Sequence, residues 1–276
     1  MSRVLLHISD LHFGRIAPGL PEVLLEAARQ IAPDLVVVSG DLTQRAKVVE
    51  FQQARSFLDQ LPYPKIVVPG NHDVPLHNLY ERFVHRLSRF QRYITDDLAP
   101  VYQDGEIAVF GVNTARSLTW KGGRINGTQI ETLRTRLCGT SADLARIVVT
   151  HHPFEVPQGF GHRDLVGSAR VALERWTDCA ADLLLCGHLH VGESTTTLHR
   201  YSQAGGRAIV VAAGTATSTR GRGAPNSFNA IRLEGRRNVG VTKWSWNETS
   251  REFRTLSEAQ FVRPADGWVQ LIAGPA

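Results

Sequence analysis

The chain has 276 residues, 42% hydrophobic and 21% charged, with a formal net charge of +5. That is ordinary globular composition, long enough for one large domain or two small ones. The basic balance suits an anionic substrate or plain solubility. With no block of five or six like charges, it does not argue for a nucleic-acid partner.

No Pro/Ser/Gly-rich linker, charge run or fixed-period repeat divides the sequence, so the expectation is one domain over residues 1–276, with a β-rich extension from about 206. The opening "MSRVLLHISDLHFG" has an apolar run too short for a signal segment. Nowhere do about 18 apolar residues run together, so a soluble, cytoplasmic chain is expected. The three cysteines, Cys138, Cys179 and Cys186, contain no C-x-x-C pair and read as reduced, buried thiols. "NGT" at 126 and "NET" at 247 match glycosylation acceptors that an unexported chain would not use.

In chain order, apolar runs at 3–9, 34–40, 65–70, 106–112, 146–152 and 182–187 have the length and Val/Ile/Leu content of strands buried on both faces. Helical patterns lie between them at 21–32, 48–61 and 128–137, the last opening on a Thr128 cap with Glu131 three residues on. Alternating strands and helices predict an α/β core. The stretch 79–94 spaces Leu79, Phe83, Leu87 and Phe90 as a helix packed on the core would, or as a cover for an apolar substrate. From 206 the pattern turns to strands, with "NETSR" as a hairpin turn and Trp244 and Trp246 on one face for packing.

Polar residues cluster where those strands end. The runs deliver Asp10 and His12, then Asp41, then Asn71, His72 and Asp73, then His151 and His152, then His188 and His190. In an open α/β sheet the carboxyl ends of strands line the ligand crevice. Carboxylate, amide and imidazole are ligands of borderline or hard divalent cations, and no cysteine joins them. Seven candidate ligands are too many for one ion and suit two, roughly 3.5–4 Å apart, if a carboxylate bridges. His7, inside the first strand, reads as a core histidine. "HRDL" at 162 lacks the Gly-rich loop of a kinase, and "GTATSTRGRG" lacks the GK[ST] of a P-loop.

The ordered set "DLH … GDLT … GNHD … HH … GHLH" resembles the calcineurin-like metallophosphoesterase superfamily, over residues 4 to about 246. The resemblance implies a four-layer α/β/β/α sandwich with a two-metal centre. By motif, Asp10, His12, Asp41 and His190 would hold the first metal. Asp41 would bridge to a second on Asn71, His151 and His188. His72 matches the family's catalytic histidine, expected as an imidazolium, and Asp73 would orient it or cap the turn. His152, next to the family's ligand, would support a ligand from behind or face the substrate.

"HISDLHFG", "VVSGDLT" and "VPGNHDVP" look most similar to bacterial class III cyclic-nucleotide phosphodiesterases. That implies attack on a small phosphodiester by water activated on two Mn, Fe or Zn ions. A nuclease, a nucleotide-sugar-lipid pyrophosphohydrolase and a non-catalytic scaffold are the alternatives. Arg116, Lys121, Arg124, Arg220 and Arg222 are loop cations that either contact substrate or remain solvated.

Overall fold

The computed structural model describes residues 2–76, 80, 84–116, 122–156, 160–197, 208–221, 223–264 and 267–271. The chain opens with β1 (Ser2–Ile8), α1 (Leu20–Ile31), β2 (Leu35–Val38), α2 (Val48–Asp59), β3 (Lys65–Val67) and α3 (Ser88–Tyr93). A second run holds β4 (Val101–Gln103), β5 (Ile107–Gly111), α4 (Gly127–Gly139), β6 (Ala145–Val149), α5 (Ala169–Arg175), β7 (Leu183–Cys186), β8 (Glu193–Thr196) and β9 (Ile209–Ala212). Four strands complete it: β10 (Ser227–Glu234), β11 (Asn238–Asn247), β12 (Glu252–Val262) and β13 (Val269–Leu271).

Two sheets result, ordered β13-β12-β11-β10-β1-β2-β3 and β4-β5-β6-β7-β9-β8. Side-chain alternation along each central strand sets the layers. Leu5, Leu35, Val37, Ile147, Val149, Leu183 and Leu185 share the core between the sheets. Leu6, Ile8, Val36 and Val38 point the other way, onto Leu24, Ala28, Phe51 and Ala54 of α1 and α2. On the far side, Val148 and Leu184 meet Ile130, Leu133 and Ala172 of α4 and α5. The molecule is therefore the expected α/β/β/α sandwich. Strands buried on both faces have no polar side to expose, which is why they read as continuous apolar runs.

The C-terminal strands β10, β11 and β12 form an antiparallel meander beside β1. The hairpin turn falls between Asn247 and Glu252, where "NETSR" places it. Trp244 stacks on Phe228 and Trp246 meets Phe253 edge-on, as packing residues.

Several expectations need correction. The α4 cap is Asn126, not Thr128: its side chain accepts from Gln129 N at 2.9 Å, and the Gln129 side chain accepts from Asn126 N at 3.1 Å. An Asn-x-x-Gln box opens the helix two residues earlier than the Thr-x-x-Glu pattern suggests. Of the 79–94 stretch, Leu87 and Phe90 lie in the core, while Leu79 and Phe83 are outside the described residues.

The cysteines are not all reduced. Cys138 of α4 and Cys179 form a disulfide, and only Cys186 is free and buried. Their Cα atoms lie 5.0 Å apart although 41 positions separate them in sequence. Packing of α4 against α5 creates that proximity, with Trp176 Nε1 donating to Ile130 O at 3.0 Å. The expectation of three reduced thiols is corrected to one, that of Cys186. No helix among the described residues is long and apolar enough to cross a membrane.

Candidate metal centre

Each candidate ligand sits just past the last ladder residue of a parallel strand: β1, β2 and β3 in one sheet, β6 and β7 in the other. Ending the ladder frees the backbone to turn. Five of the seven turn the same way, Asp10, His12, Asp41, His188 and His190 taking φ of 53°, 48°, 53°, 73° and 61°. Asp and His tolerate this left-handed region better than most side chains, and five such residues in one place mark a functional site.

Close backbone approach locks the turns together. Asp10 N donates to Gly40 O at 3.1 Å, His12 N to Asp41 O at 3.0 Å and Gly187 N to His151 O at 3.0 Å. Gly40, with φ of 95°, leaves room for the His151 ring, and a Cβ at Gly187 would land on Ser9 Oγ.

The side chains converge into two donor sets. In the first, Asp10 Oδ1 lies 3.5 Å from His12 Nε2 and 3.6 Å from His190 Nε2. In the second, Asn71 Oδ1 lies 3.1 Å from His151 Nε2 and 3.0 Å from His188 Nδ1. Asp41 stands between them, its Oδ2 3.7 Å from His12 Nε2 and its Oδ1 3.4 Å from His151 Nε2. Such separations let one ion touch neighbouring donors at bonds of about 2.0–2.2 Å.

Asp10 Oδ1 and His12 Nε2 are buried with no hydrogen-bond partner. Two orphaned polar atoms facing each other are costly unless something binds both. A divalent cation fits that need and this donor chemistry. His152 also joins the second set, within ligand reach of His151 and His188.

Charge follows the same geometry. Burial opposes ionisation of Asp10 and Asp41, but His190 beside the first and His151 beside the second hold both carboxyls below the ordinary range. Burial disfavours charge on His151 too, yet Asp41 pushes it up to about 9. His188 is pushed down to about 3 by burial, then by the His151 charge.

Asp73 caps rather than orients. It accepts from Gly70 N and Thr43 N at 2.9 Å and Leu42 N at 3.2 Å, tying two ligand-bearing turns together. Its carboxyl is pushed up to about 6 by burial and the Asp41 charge. His72 is oriented by Gln44: Nδ1–H donates to the Gln44 carbonyl at 2.8 Å, leaving the Nε2 lone pair to accept from Arg220 Nη1 at 2.7 Å. Burial lowers the His72 pKa, while the Asp41 charge and the Gln44 carbonyl oppose that shift.

Several supporting residues escaped the sequence reading. Carbonyls of Ser39 and Thr43 accept from Nδ1 of His151 and His12 at 2.7 and 3.3 Å. Thr114 Oγ1 holds His152 Nδ1 at 2.8 Å, and Thr215 Oγ1 bonds His190 Nδ1. The available signal was "VVAAGT", another apolar run with a polar residue after glycine. Arg116 turns to Gln129 Oε1 on α4, its ionisation opposed by burial and by Arg86 and Arg124. No contact of Arg116 with the ligand set appears among the described residues. Lys121 and Arg222 lie outside them.

A family model for calcineurin-like phosphoesterases matches residues 3–192, a span containing all seven candidate ligands. The chain belongs to the calcineurin-like phosphoesterase family. Members of that family hydrolyse phosphoesters, and its fold implies divalent metal ions, for which the described residues supply three possible clusters.

Among the relatives of this phosphoesterase is the glycerophosphodiester phosphodiesterase GpdQ of Enterobacter lignolyticus, 28% identical over 229 residues, 73% of this chain and 74% of that one. Another, a probable cyclic nucleotide phosphodiesterase of Synechococcus, is 25% identical over 162 residues, 55% of this chain and 59% of its own. A dimetal phosphatase from Danio rerio shares the fold with a TM-score of 0.65 at 15% identity, covering 92% of this phosphoesterase and 98% of that chain.

Proposed function

We propose that this chain is a two-metal phosphodiesterase acting on small phosphodiesters, with cyclic nucleotides and glycerophosphodiesters as the substrate classes that relatives' names suggest. Asp10, His12 and His190 would hold one ion and Asn71, His151 and His188 the other, with Asp41 placed to serve both. The observation carrying this reading is the Asp41 carboxylate, with one oxygen turned to each donor set.

When bound, two divalent cations neutralise phosphoryl oxygens and make a water nucleophilic near neutral pH. Mn, Fe and Zn all suit these ligands. The chain's own residues do the rest. Asn71 would be a neutral ligand, withdrawing less of the cation's charge than a carboxylate would. His72, held through Nδ1 by Gln44, presents Nε2 as the atom where a proton is taken up or passed to the leaving oxygen.

The test is a substrate panel on full-length protein, with and without added Mn²⁺: a chromogenic phosphodiester, 3′,5′-cyclic AMP, a glycerophosphodiester, single-stranded DNA and a nucleotide-sugar lipid. Manganese-dependent release from the small diesters is expected. Activity confined to DNA or to the pyrophosphate substrate overturns the substrate class. No metal uptake and no product from any substrate overturns the enzyme.

A further inference from the structure

Arg220 lies outside the span that carries the family match, yet it reaches the centre of the site. Its Nη1 is 2.7 Å from His72 Nε2 and 3.4 Å from His72 Nδ1. The guanidinium therefore lies against the imidazole to which proton handling is assigned above.

This position is built. After β9 the chain runs along the loop that carries Asp10 and His12. Thr217 Oγ1 donates to Leu11 O at 2.8 Å, Ala17 N to Thr217 O at 2.8 Å and Ser218 Oγ to Arg15 O at 2.9 Å. Asn226 Nδ2 donates to Thr215 O at 3.2 Å and Ser218 O at 2.8 Å, and Ser218 Oγ accepts from Arg220 N at 3.1 Å. Thr217 and Ser218 are fully buried. The segment that steadies His190 through Thr215 therefore also delivers a guanidinium, on a backbone held at both sides.

A guanidinium stays charged at every working pH and presents a planar fork that matches two phosphoryl oxygens. An imidazole lone pair is a single neutral acceptor, a poorer partner than an anionic oxygen. We propose that Arg220 is the substrate-binding guanidinium of this site, moving its Nη1 hydrogen bond from His72 to a non-bridging phosphoryl oxygen when substrate arrives. The assignment rests on the phosphodiesterase reading above.

The test compares Arg220→Ala and Arg220→Lys with wild type as manganese-loaded full chains. It measures inorganic phosphate affinity by calorimetry, KM and kcat on a chromogenic phosphodiester, manganese per chain and the melting midpoint. Arg220→Ala is expected to weaken phosphate binding about ten- to a hundredfold, raise KM in step, keep its manganese and midpoint, and regain turnover with added guanidinium. Arg220→Lys should fall between, keeping charge without the fork. Wild-type phosphate affinity and KM in Arg220→Ala overturn the assignment alone. So does loss of manganese from that variant, which would make Arg220 a support for the ligands. A wild type that binds no metal and cleaves nothing overturns the underlying reading, and this assignment with it.

Discussion

His72 and Thr215 each act through a single side-chain atom, and each can be replaced while all seven candidate ligands are kept. His72 keeps Nε2 toward the site because Gln44 holds Nδ1. His72→Ala should leave the metal content intact and lower kcat by about 10²- to 10⁴-fold, the usual weight of one acid–base group. Metal loss measured on that variant would make His72 a ligand instead. Thr215 bonds the Nδ1 of His190 and so fixes which nitrogen faces Asp10. Thr215→Val, nearly isosteric, should lower manganese affinity by about 10- to 100-fold, as loss of a ligand's outer partner does. An unchanged binding isotherm would rule that role out. The ligand types were legible in the sequence because Asp, Asn and His past apolar runs are unusual as a set. Thr215 and Arg220 were not, since a threonine and an arginine after glycine look like any loop.

At the scale of elements, the site depends on strands that stop in time. β1, β2, β3, β6 and β7 each end just before a candidate ligand, and glycines let the following turns touch. Gly187→Ala would press a methyl into Ser9 Oγ and the Asp10 carboxylate, forcing the β7 turn away from the β1 turn. Overpacking of this kind costs about 1–3 kcal/mol. A lowered melting midpoint and weaker metal binding together are the expected outcome, and a wild-type midpoint would show that the turn yields freely. Strand positions could be read from Val/Ile/Leu runs, because burial on both faces leaves no other composition. The α4 start could not, since Asn126 and Gln129 compete with Thr128 and Glu131 for the same cap chemistry. Only the geometry of the preceding turn decides between them.

Across the whole molecule, the site end is balanced by ties at other places. Asp182, just before β7 and fully buried, takes Arg236 at 2.9 and 3.0 Å and also Arg263 and Trp268. This pins the C-terminal meander across to the second sheet, at the end of β7 away from His188. The Cys138–Cys179 bridge ties α4 to the turn after α5, closing a loop of 41 positions. A loop of that length is worth about 2–4 kcal/mol to the folded state. Thiol titration of denatured, unreduced protein should find one free sulfhydryl, that of Cys186, and reduction should lower the melting midpoint. Three free thiols would contradict the bridge. The pairing was invisible in sequence because spacing carries no signal when tertiary packing alone brings two cysteines together.

In the proposed centre, five strand ends would grip two cations through one shared carboxylate. Its most direct test is equilibrium titration of metal-stripped protein with Mn²⁺, counting bound ions per chain for wild type and for Asp41→Asn. Two ions are expected in the wild type. Asp41→Asn should weaken both sites, by more than the roughly 10- to 100-fold attached to an outer partner. Fewer than two ions in the wild type, or two ions bound with unchanged affinity in Asp41→Asn, would contradict that centre.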